Sequence, residues 1–272
     1  MKRILGTIFS LSSKSLILIS ALAIAQKASA EKGFQPLFNG KDLNGWVSAR
    51  NIKSGEFGDF SVNKELGAIQ VYSGIEDGAL EETDVLFTDK SYSHYVLKFK
   101  YKWGDKKFEP RTKVARDSGV LFHITNNLSK VWPDCIEYQM GDSDPNFTGK
   151  ARYRTGDLFV IGWPITADVR RGDPFFDPEA PLQTQGVEKR FGRCWTNLGK
   201  ENPHGEWNDV EIRVNGAELA EYFLNGEKVL EVEDMKMTKK GETIPLESGR
   251  IGFQAEWAEV FFKDIYIKDL SE

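Results

Sequence analysis

Apolar and polar residues alternate along several short segments of the chain, which is typical of β-strands that are buried on one face. The clearest case is residues 94–103, where five apolar side chains alternate with three lysines. The apolar set is Tyr95, Leu97, Phe99, Tyr101 and Trp103, and the lysines are Lys98, Lys100 and Lys102. This pattern predicts a long antiparallel strand whose outer face is cationic and solvated.

Turn signals separate the alternating segments. Residues 207–233 contain two Asn-Gly pairs, at 215–216 and 225–226, and Asn-Gly tolerates the positive φ angles of tight hairpin turns. They predict a three-strand meander, and residues 249–257 and 259–270 supply two more strands. No amphipathic helix of three turns is found. The chain is therefore predicted to be all-β, an antiparallel sandwich or barrel with no helix longer than about three turns.

One long segment lacks this alternation. Residues 163–206 contain five prolines and several aromatic residues, including Trp163, Phe191 and Trp195. Long irregular segments inside a compact domain are usually functional or disordered, and this many aromatic side chains argue against disorder. We expect a long ordered loop that packs over the sandwich and supplies part of a pocket wall, with Trp195 as the main contact. A decoration that never touches ligand is the alternative.

Two neighbouring segments combine apolar and ionisable residues. In residues 118–124 the side chains of Leu121 and His123 share a face, and in residues 135–140 those of Glu137 and Gln139 do. If the two strands pair, His123, Glu137 and Gln139 meet on one sheet surface. Such a surface is either simply solvated or the floor of a site. A charged residue flanked by two large apolar ones, as Glu137 is, must face a cavity or solvent.

The first 30 residues are typical of a secretory signal peptide. A basic start precedes the apolar run at 15–25, and Ala-Ser-Ala at 28–30 offers a cleavage site. The expected mature protein is a single domain over residues 31–272, exported to the periplasm or beyond the cell, with no membrane insertion after cleavage. Loss of four basic residues with the leader changes the formal charge from −5 to −9. An acidic chain of this kind is a poor binder of nucleic acid or anionic membranes.

The chain has two cysteines, Cys135 and Cys194, which leaves a disulfide and two separate buried thiols as equal alternatives. Two cysteines and three histidines argue against a structural zinc site.

Aromatic residues make up 12% of the chain. Flat rings stack on the apolar faces of sugars, although most rings in a sandwich belong to its core. Trp132 lies in a predicted connection between two strands, where binding groups concentrate, and is the best ligand-binding candidate among the rings. Asp157, Arg154 and Arg116 are further candidates, with a solvated loop or a salt bridge as the alternative for each.

The motifs together resemble the 3-keto-disaccharide hydrolase domain family, formerly a domain of unknown function. The stretches that carry the resemblance are GFQPLFNGKDLNGW (33–46), DSGVLFHI (117–124), VWPDCIEYQM (131–140), TGDLFVIG (155–162), GEWNDVEIRVNGAELAEYFLNGEKV (205–229) and SGRIGFQAEWAEVFFKDIYIKDL (248–270). This resemblance implies a bacterial, exported, concanavalin-like or LamG-like jelly-roll sandwich. The family often has Asn at the position of Asp117, and many members have His-Gly where this chain has Glu256 and Trp257. A metal-binding or proton-transfer role of that His either falls here to Glu256 or is absent.

The resemblance implies an enzyme that cleaves 3-keto-glycosides. A 3-keto group acidifies the C2 hydrogen of the sugar, so that a base can remove it before the aglycone leaves C1 and water adds back. His123, Glu137 and Glu256 are the expected proton-transfer groups, and Gln139 and Gln254 the expected donors to the enolate oxygen or to hydroxyls. Substrate contacts are expected from Trp132, Asp157, Arg116 and Trp195. A divalent metal ion held by His123 with Glu137 is the alternative to some of these donors.

Two other classes of function remain at this stage. The same fold also serves non-catalytic carbohydrate-binding modules, and a structural envelope protein is a weaker third reading. A catalytic site requires ionisable residues that converge in a pocket, whereas a lectin needs only a shallow surface of aromatic rings and amides.

Overall fold

A computed structural model describes residues 33–126, 128–142, 154–186, 191–196 and 200–271. The predicted signal peptide lies outside these residues. Within them the chain forms β-strands and no helix, so the all-β prediction is confirmed, and no helix is long and apolar enough to cross a membrane.

The strands are, in chain order, β1 (Gln35–Pro36), β2 (Trp46–Ser48), β3 (Phe60–Asn63), β4 (Ala68–Val71), β5 (Asp84–Thr88), β6 (His94–Lys107), β7 (Asp117–Asn126), β8 (Asp134–Gly141), β9 (Leu158–Ile161), β10 (Ile165–Arg170), β11 (Leu182–Gln185), β12 (Phe191–Cys194), β13 (Asn208–Asn215), β14 (Leu219–Leu224), β15 (Glu227–Lys239), β16 (Glu242–Pro245), β17 (Arg250–Ala255) and β18 (Ala258–Asp269).

These strands form two antiparallel sheets. The larger sheet has the order β11-β10-β15-β14-β13-β6-β18-β4-β3, with β1 beside β18 and β16 beside β15. The smaller sheet has the order β12-β9-β8-β7-β17-β5-β2. Jelly-roll connections place strands that are distant in sequence next to each other, and β7 thereby lies between β8 and β17.

The main hydrophobic core fills the space between the sheets. The predicted alternation of β6 is confirmed, because its aromatic and aliphatic side chains are buried while its lysines are half-exposed. Val120 and Phe122 of β7 and Tyr138 of β8 also belong to this core. A second, smaller apolar cluster, which includes Leu121, lies on the other face of the smaller sheet. That outer face carries the candidate site.

The two Asn-Gly pairs behave differently. Asn225 and Gly226 both have positive φ angles and close the β14–β15 hairpin. At 215–216 only Gly216 has a positive φ, and three residues connect β13 to β14. The predicted meander is confirmed, although only the second pair forms a two-residue turn.

Residues 163–206 are not one irregular loop. They contain β10 and β11, which join the larger sheet, and β12, which forms the edge of the smaller one. Residues 187–190 and 197–199 lie outside the described part. The strands escaped sequence analysis because β11 is mostly exposed on both faces and a bulge interrupts the pairing of β10 with β15, which removes the alternation.

Both cysteines are free and buried. Cys135 on β8 belongs to the outer cluster, whereas Cys194 on β12 belongs to the core between the sheets. The two thiols therefore lie on opposite faces of the smaller sheet, where no disulfide can join them. Of the two alternatives, the structure has the separate buried thiols.

Candidate active site

A cleft with a volume of about 670 Å³ opens on the outer face of the smaller sheet. Its lining residues come from β7, β8, β9, β12 and the adjoining loops, and they are Pro110, Arg111, Asp117, Trp132, Glu137, Gln139, Phe159, Ile161, Phe191, Arg193, Glu256 and Trp257. Three acids, two arginines and several aromatic rings thus face one space. A concave site with few, convergent polar groups is typical of a small-ligand pocket.

Glu137 stands on the floor of this cleft. Alternation along β8 sends Ile136 and Tyr138 into the core, so that Glu137 points to the outer face, as predicted. Its carboxyl group leans over Gly119 on β7, where a methyl group would collide with Glu137 Oε1. The missing side chain at Gly119 is therefore what makes room for the glutamate.

Glu137 is only 4% exposed, and the structure shows no hydrogen bond or ion pair to its carboxyl group from the residues that it describes. Burial raises the pKa of the Glu137 carboxyl well above its usual value, and the negative charges of Glu256 and Asp117 raise this pKa further. A strongly raised pKa in a cleft is typical of a proton-transfer group.

A guanidinium group holds the other two acids of the cleft. Arg111 Nη1 lies 2.9 Å from Asp117 Oδ2 and 2.7 Å from Glu256 Oε1. Gln139 Nε2 donates to Asp117 Oδ1 over 2.6 Å and to two backbone carbonyl oxygens. These contacts fix both carboxylates in position. The cleft thus contains two ion-paired acids beside one that has no cationic partner among the described residues.

Aromatic rings form the walls of the cleft. Trp132 lines it, as the sequence predicted, together with Phe159, Phe191 and Trp257. The indole of Trp257 is held in place because its Nε1 donates to the Glu81 carbonyl over 2.7 Å. Rings with fixed orientation can stack on a sugar at little entropic cost.

His123 does not reach this cleft, and the prediction that it stands beside Glu137 is wrong. A bulge in β7, which has one extra residue relative to β17, interrupts the pairing of β7 with both β8 and β17, and His123 has a φ of 53°. The bulge reverses the alternation, so that Ile124 joins Leu121 on the outer face. The imidazole is fully buried, and its Nε2 donates to the Gly216 carbonyl of the opposite sheet over 2.9 Å.

The metal pair proposed from the sequence is separated by the same bulge. Among the described residues, no group of three or more His, Cys, Asp or Glu side chains is arranged to hold a metal ion. His123 and Glu137 therefore do not fit a shared divalent cation, and no step below involves one.

Gln139 and Gln254 both lie beside Glu137. Gln139 lines the cleft, and Gln254 of β17 is 2% exposed, with its Oε1 only 2.5 Å from where a methyl group on Gly119 would stand. Glu256 follows β17 and lines the cleft. Gln254 and Glu256 therefore lie on the same face of the smaller sheet, as the sequence predicted.

Three candidate substrate ligands are not cleft-lining residues. Asp157 is fully buried and accepts backbone N–H groups from Thr196 and Arg154, and burial raises its pKa to about 7. Arg116 is 7% exposed and donates to Asp142 and to the Asp105 carbonyl. Arg116 thus forms the salt bridge that was its alternative, whereas Asp157 is neither solvated nor a cleft residue but is held by backbone N–H groups.

Trp195 is the third candidate substrate ligand that does not line the cleft. Its ring packs against Phe175 and against the guanidinium group of Arg193, at 6.0 Å and 4.7 Å between centres. The segment 163–206 does reach the cleft, but through Phe191 and Arg193 of β12. Trp195 itself does not line the cleft but packs against the cleft residue Arg193.

Sequence analysis missed Arg111, Arg193 and Phe159 as cleft residues. Arg111 lies in a loop that shows no periodicity, and β12 was not recognised as a strand. Phe159 belongs to the short apolar run of β9, which gives no sign of which face each residue occupies.

Solved structures that match this chain include bacterial proteins. A crystal structure of a "putative glycosyl hydrolase" from Parabacteroides distasonis ATCC 8503 is 23% identical, with 90% of this chain and 97% of that one covered and a TM-score of 0.53. A second such structure from that organism is 19% identical, covers 87% and 99%, and has a TM-score of 0.52. Carbohydrate binding module CBM66 from Bacillus subtilis is 10% identical, covers 83% and 96%, and has a TM-score of 0.44.

A search of curated proteins found no match. The family model that describes a 3-keto-alpha-glucoside-1,2-lyase-like domain matches residues 33–268, which include both sheets and every residue of the cleft. The resemblance found in the sequence motifs is thereby confirmed over nearly the whole chain. The protein belongs to this carbohydrate-active family, the 3-keto-disaccharide hydrolase family of 3-keto-alpha-glucoside-1,2-lyase-like domains.

Proposed function

We propose that the protein is an enzyme that cleaves the glycosidic bond of 3-keto-glycosides by removing the C2 proton. The observation that carries this proposal is the buried carboxyl group of Glu137, which has no cationic partner among the described residues and lies on the floor of a cleft walled by aromatic rings. Membership of the family supports the substrate class.

Glu137 acts as the base in this mechanism. Its ionised form is destabilised by burial and by two neighbouring acids, so that it binds a proton strongly. Glu137 removes the hydrogen from C2, and the electron pair of that bond forms the enolate of the 3-keto group. The C1–O bond then breaks, C1 and C2 become doubly bonded, and the C3 carbonyl is restored.

The proton on Glu137 returns to the aglycone oxygen, which restores the carboxylate. Addition of water across the new double bond gives the free 3-keto sugar, so that the net reaction is a hydrolysis. The enolate oxygen carries negative charge, which a guanidinium group can stabilise. Arg111 is the nearest candidate, because it already lies between Asp117 and Glu256 in the cleft.

We also propose that the enzyme works outside the cytoplasm. The support for this is the signal-like sequence of residues 1–30, which would direct the chain to the periplasm or the medium. Oligosaccharides and glycosides would reach the cleft there.

A carbohydrate-binding module is the second candidate, and the aromatic walls favour it. Trp132, Phe191 and Trp257 line the cleft and could hold a sugar without any chemistry. A binding module, however, has no need of a buried carboxyl group that lacks a partner, since such a group reduces stability.

Incubation of the purified protein with 3-keto-trehalose or 3-keto-lactose tests the proposal. Release of the aglycone, with transient absorbance from the unsaturated ketone, is expected in wild type. In Glu137→Gln the rate should fall by about 100-fold or more. Parallel reactions with a chelator and with added divalent metal ions report any metal requirement.

Glu259→Gln is the matched control. Glu259 is a buried glutamate of the larger sheet that accepts a hydrogen bond from Gln70 over 2.9 Å and does not line the cleft. The Glu259→Gln variant should cleave the substrate at the wild-type rate. Tight binding of the sugar by wild type with no product at any enzyme concentration would reject catalysis in favour of the binding module.

A further inference from the structure

Two polar groups for which the described residues provide no hydrogen-bond partner meet at the floor of the cleft. Gln254 Oε1 is buried and has no hydrogen-bond partner among the described residues. The Glu137 carboxyl group also receives no hydrogen bond from them. Buried polar groups are nearly always paired, and one left unpaired reduces stability. A buried, unpaired Gln254 oxygen beside the largely buried Glu137 carboxyl group therefore needs an explanation.

Gly119 brings the two groups together. Its strand, β7, lies between β8, which carries Glu137, and β17, which carries Gln254. A methyl group on Gly119 would collide with Glu137 Oε1 and would lie 2.5 Å from Gln254 Oε1. Side chains from two strands that are not neighbours thus reach across β7 into the space above one glycine.

The backbone of Gln254 is also held by its neighbour strand. Ser118 Oγ donates to the Gln254 backbone carbonyl over 3.0 Å, and the Gln254 side chain is almost completely buried. Two oxygen atoms that both accept hydrogen bonds repel each other unless a proton lies between them. A protonated Glu137 supplies that proton and satisfies both groups at once.

We propose that Glu137 donates its carboxyl proton to Gln254 Oε1, so that Gln254 is a positioning residue for the proton-transfer group of the cleft. The hydrogen bond holds the carboxyl group over Gly119 in the orientation from which it faces the cleft. It is broken when Glu137 ionises to become the base. The positioning role of Gln254 in catalysis rests on the proposed function, whereas the hydrogen bond between Glu137 and Gln254 does not depend on it.

An infrared titration without substrate tests the hydrogen bond directly. The difference between wild-type and Glu137→Gln spectra isolates the carbonyl stretch of protonated Glu137, and its loss with rising pH gives the midpoint of ionisation. Gln254→Met has a side chain of similar length with no amide oxygen. Because it removes a bond made only by the neutral carboxyl group, the midpoint should move to lower pH by about one unit.

Gln70→Met is the matched control, since Gln70 bonds the buried Glu259 of the larger sheet. It should leave the Glu137 midpoint unchanged. An unchanged midpoint in Gln254→Met overturns the proposal, and a midpoint moved to higher pH overturns it too, because Gln254 would then be a donor to the ionised carboxylate. Thermal melts exclude unfolding as the cause of any shift.

Activity assays then separate the two proposals. If 3-keto-glycosides are turned over, the low-pH limb of kcat/KM should move with the infrared midpoint in Gln254→Met. If the midpoint moves but no glycoside is cleaved, the hydrogen bond stands and the proposed reaction fails.

Discussion

Arg111 Nη1 lies 2.7 Å from Glu256 Oε1, although 145 residues separate the two in the chain. The same nitrogen lies 2.9 Å from Asp117 Oδ2. One guanidinium group therefore pairs with two acids of the cleft, whereas Glu137 has no cationic partner among the described residues. Burial and the charges of the two paired acids raise the pKa of the Glu137 carboxyl group well above its usual value, so Glu137 is the acid of the cleft that favours its protonated form.

Replacing Arg111 with Met should reduce turnover of a 3-keto-glycoside by about 100-fold, because the enolate oxygen loses a cationic partner. The unfolding free energy should also fall by about 3 kcal/mol, since two largely buried carboxylates lose their counter-ion. Steady-state rates and chemical denaturation measure the two effects. Arg213→Met, on the outer face of the larger sheet, is the control and should retain full activity.

Glu137→Gln should be more stable than wild type at alkaline pH. The pKa of Glu137 is raised in the folded protein above the value of about 4.5 that it has when unfolded, so folding favours the protonated form. The stability of wild type is therefore highest below pH 4.5 with respect to this group and falls as pH rises towards the folded pKa. The fall is about 1.4 kcal/mol per pH unit.

Denaturation of both proteins between pH 5 and pH 8 measures this difference. The advantage of Glu137→Gln should widen steadily with pH. A constant difference across this range would mean that Glu137 is ionised in the folded protein from pH 5 upwards.

His123→Gln should retain activity and resist acid better than wild type. Burial lowers the pKa of His123 to about 4, so the folded protein holds it neutral while the unfolded chain protonates it near pH 6.5. Wild type should thus lose about 1.4 kcal/mol per pH unit from this group between pH 6.5 and pH 4. Glutamine can still donate to the Gly216 carbonyl but does not titrate.

Melting curves at pH 4.5 and pH 7 compare the two proteins, and rates at pH 7 test the cleft. A loss of turnover of about 100-fold with an unchanged melting temperature at pH 7 would show that His123 takes part in catalysis. Retained turnover would agree with its position between the sheets.

Gly119→Ala should reduce turnover far more than it reduces stability. The added methyl group collides with Glu137 Oε1, so the carboxyl group must move out of its working position. We expect a rate loss of about 100-fold, with a stability loss of about 1–3 kcal/mol from overpacking. Rates and melting temperatures are measured on the same preparation.

Gly104→Ala is the matched control, because a methyl group there collides in the same way with Glu259 Oε2 in the larger sheet. It should cost similar stability but leave the rate near wild type. Equal rate losses in both variants would show that general overpacking, and not displacement of Glu137, is responsible.

The amino-acid sequence by itself determined the all-β class, the long β6 strand, the meander and the outward direction of Glu137. These features depend on local rules. Side chains alternate along a strand, Asn-Gly favours tight turns, and a charge between two core residues has only one direction in which to point. The motifs also identified the family, because they occur along the whole chain and each one overlaps a strand or hairpin of the fold.

The tertiary structure alone decided which residues share the cleft. Arg111 meets Glu256, and Gln254 meets Glu137, because the sheet brings β7 between β8 and β17, and this strand order cannot be read from periodicity. A single bulge in β7 moved His123 into the core, since one inserted residue reverses the face of each side chain that follows. Local pattern thus sets the direction of a side chain, but only strand pairing sets its neighbours.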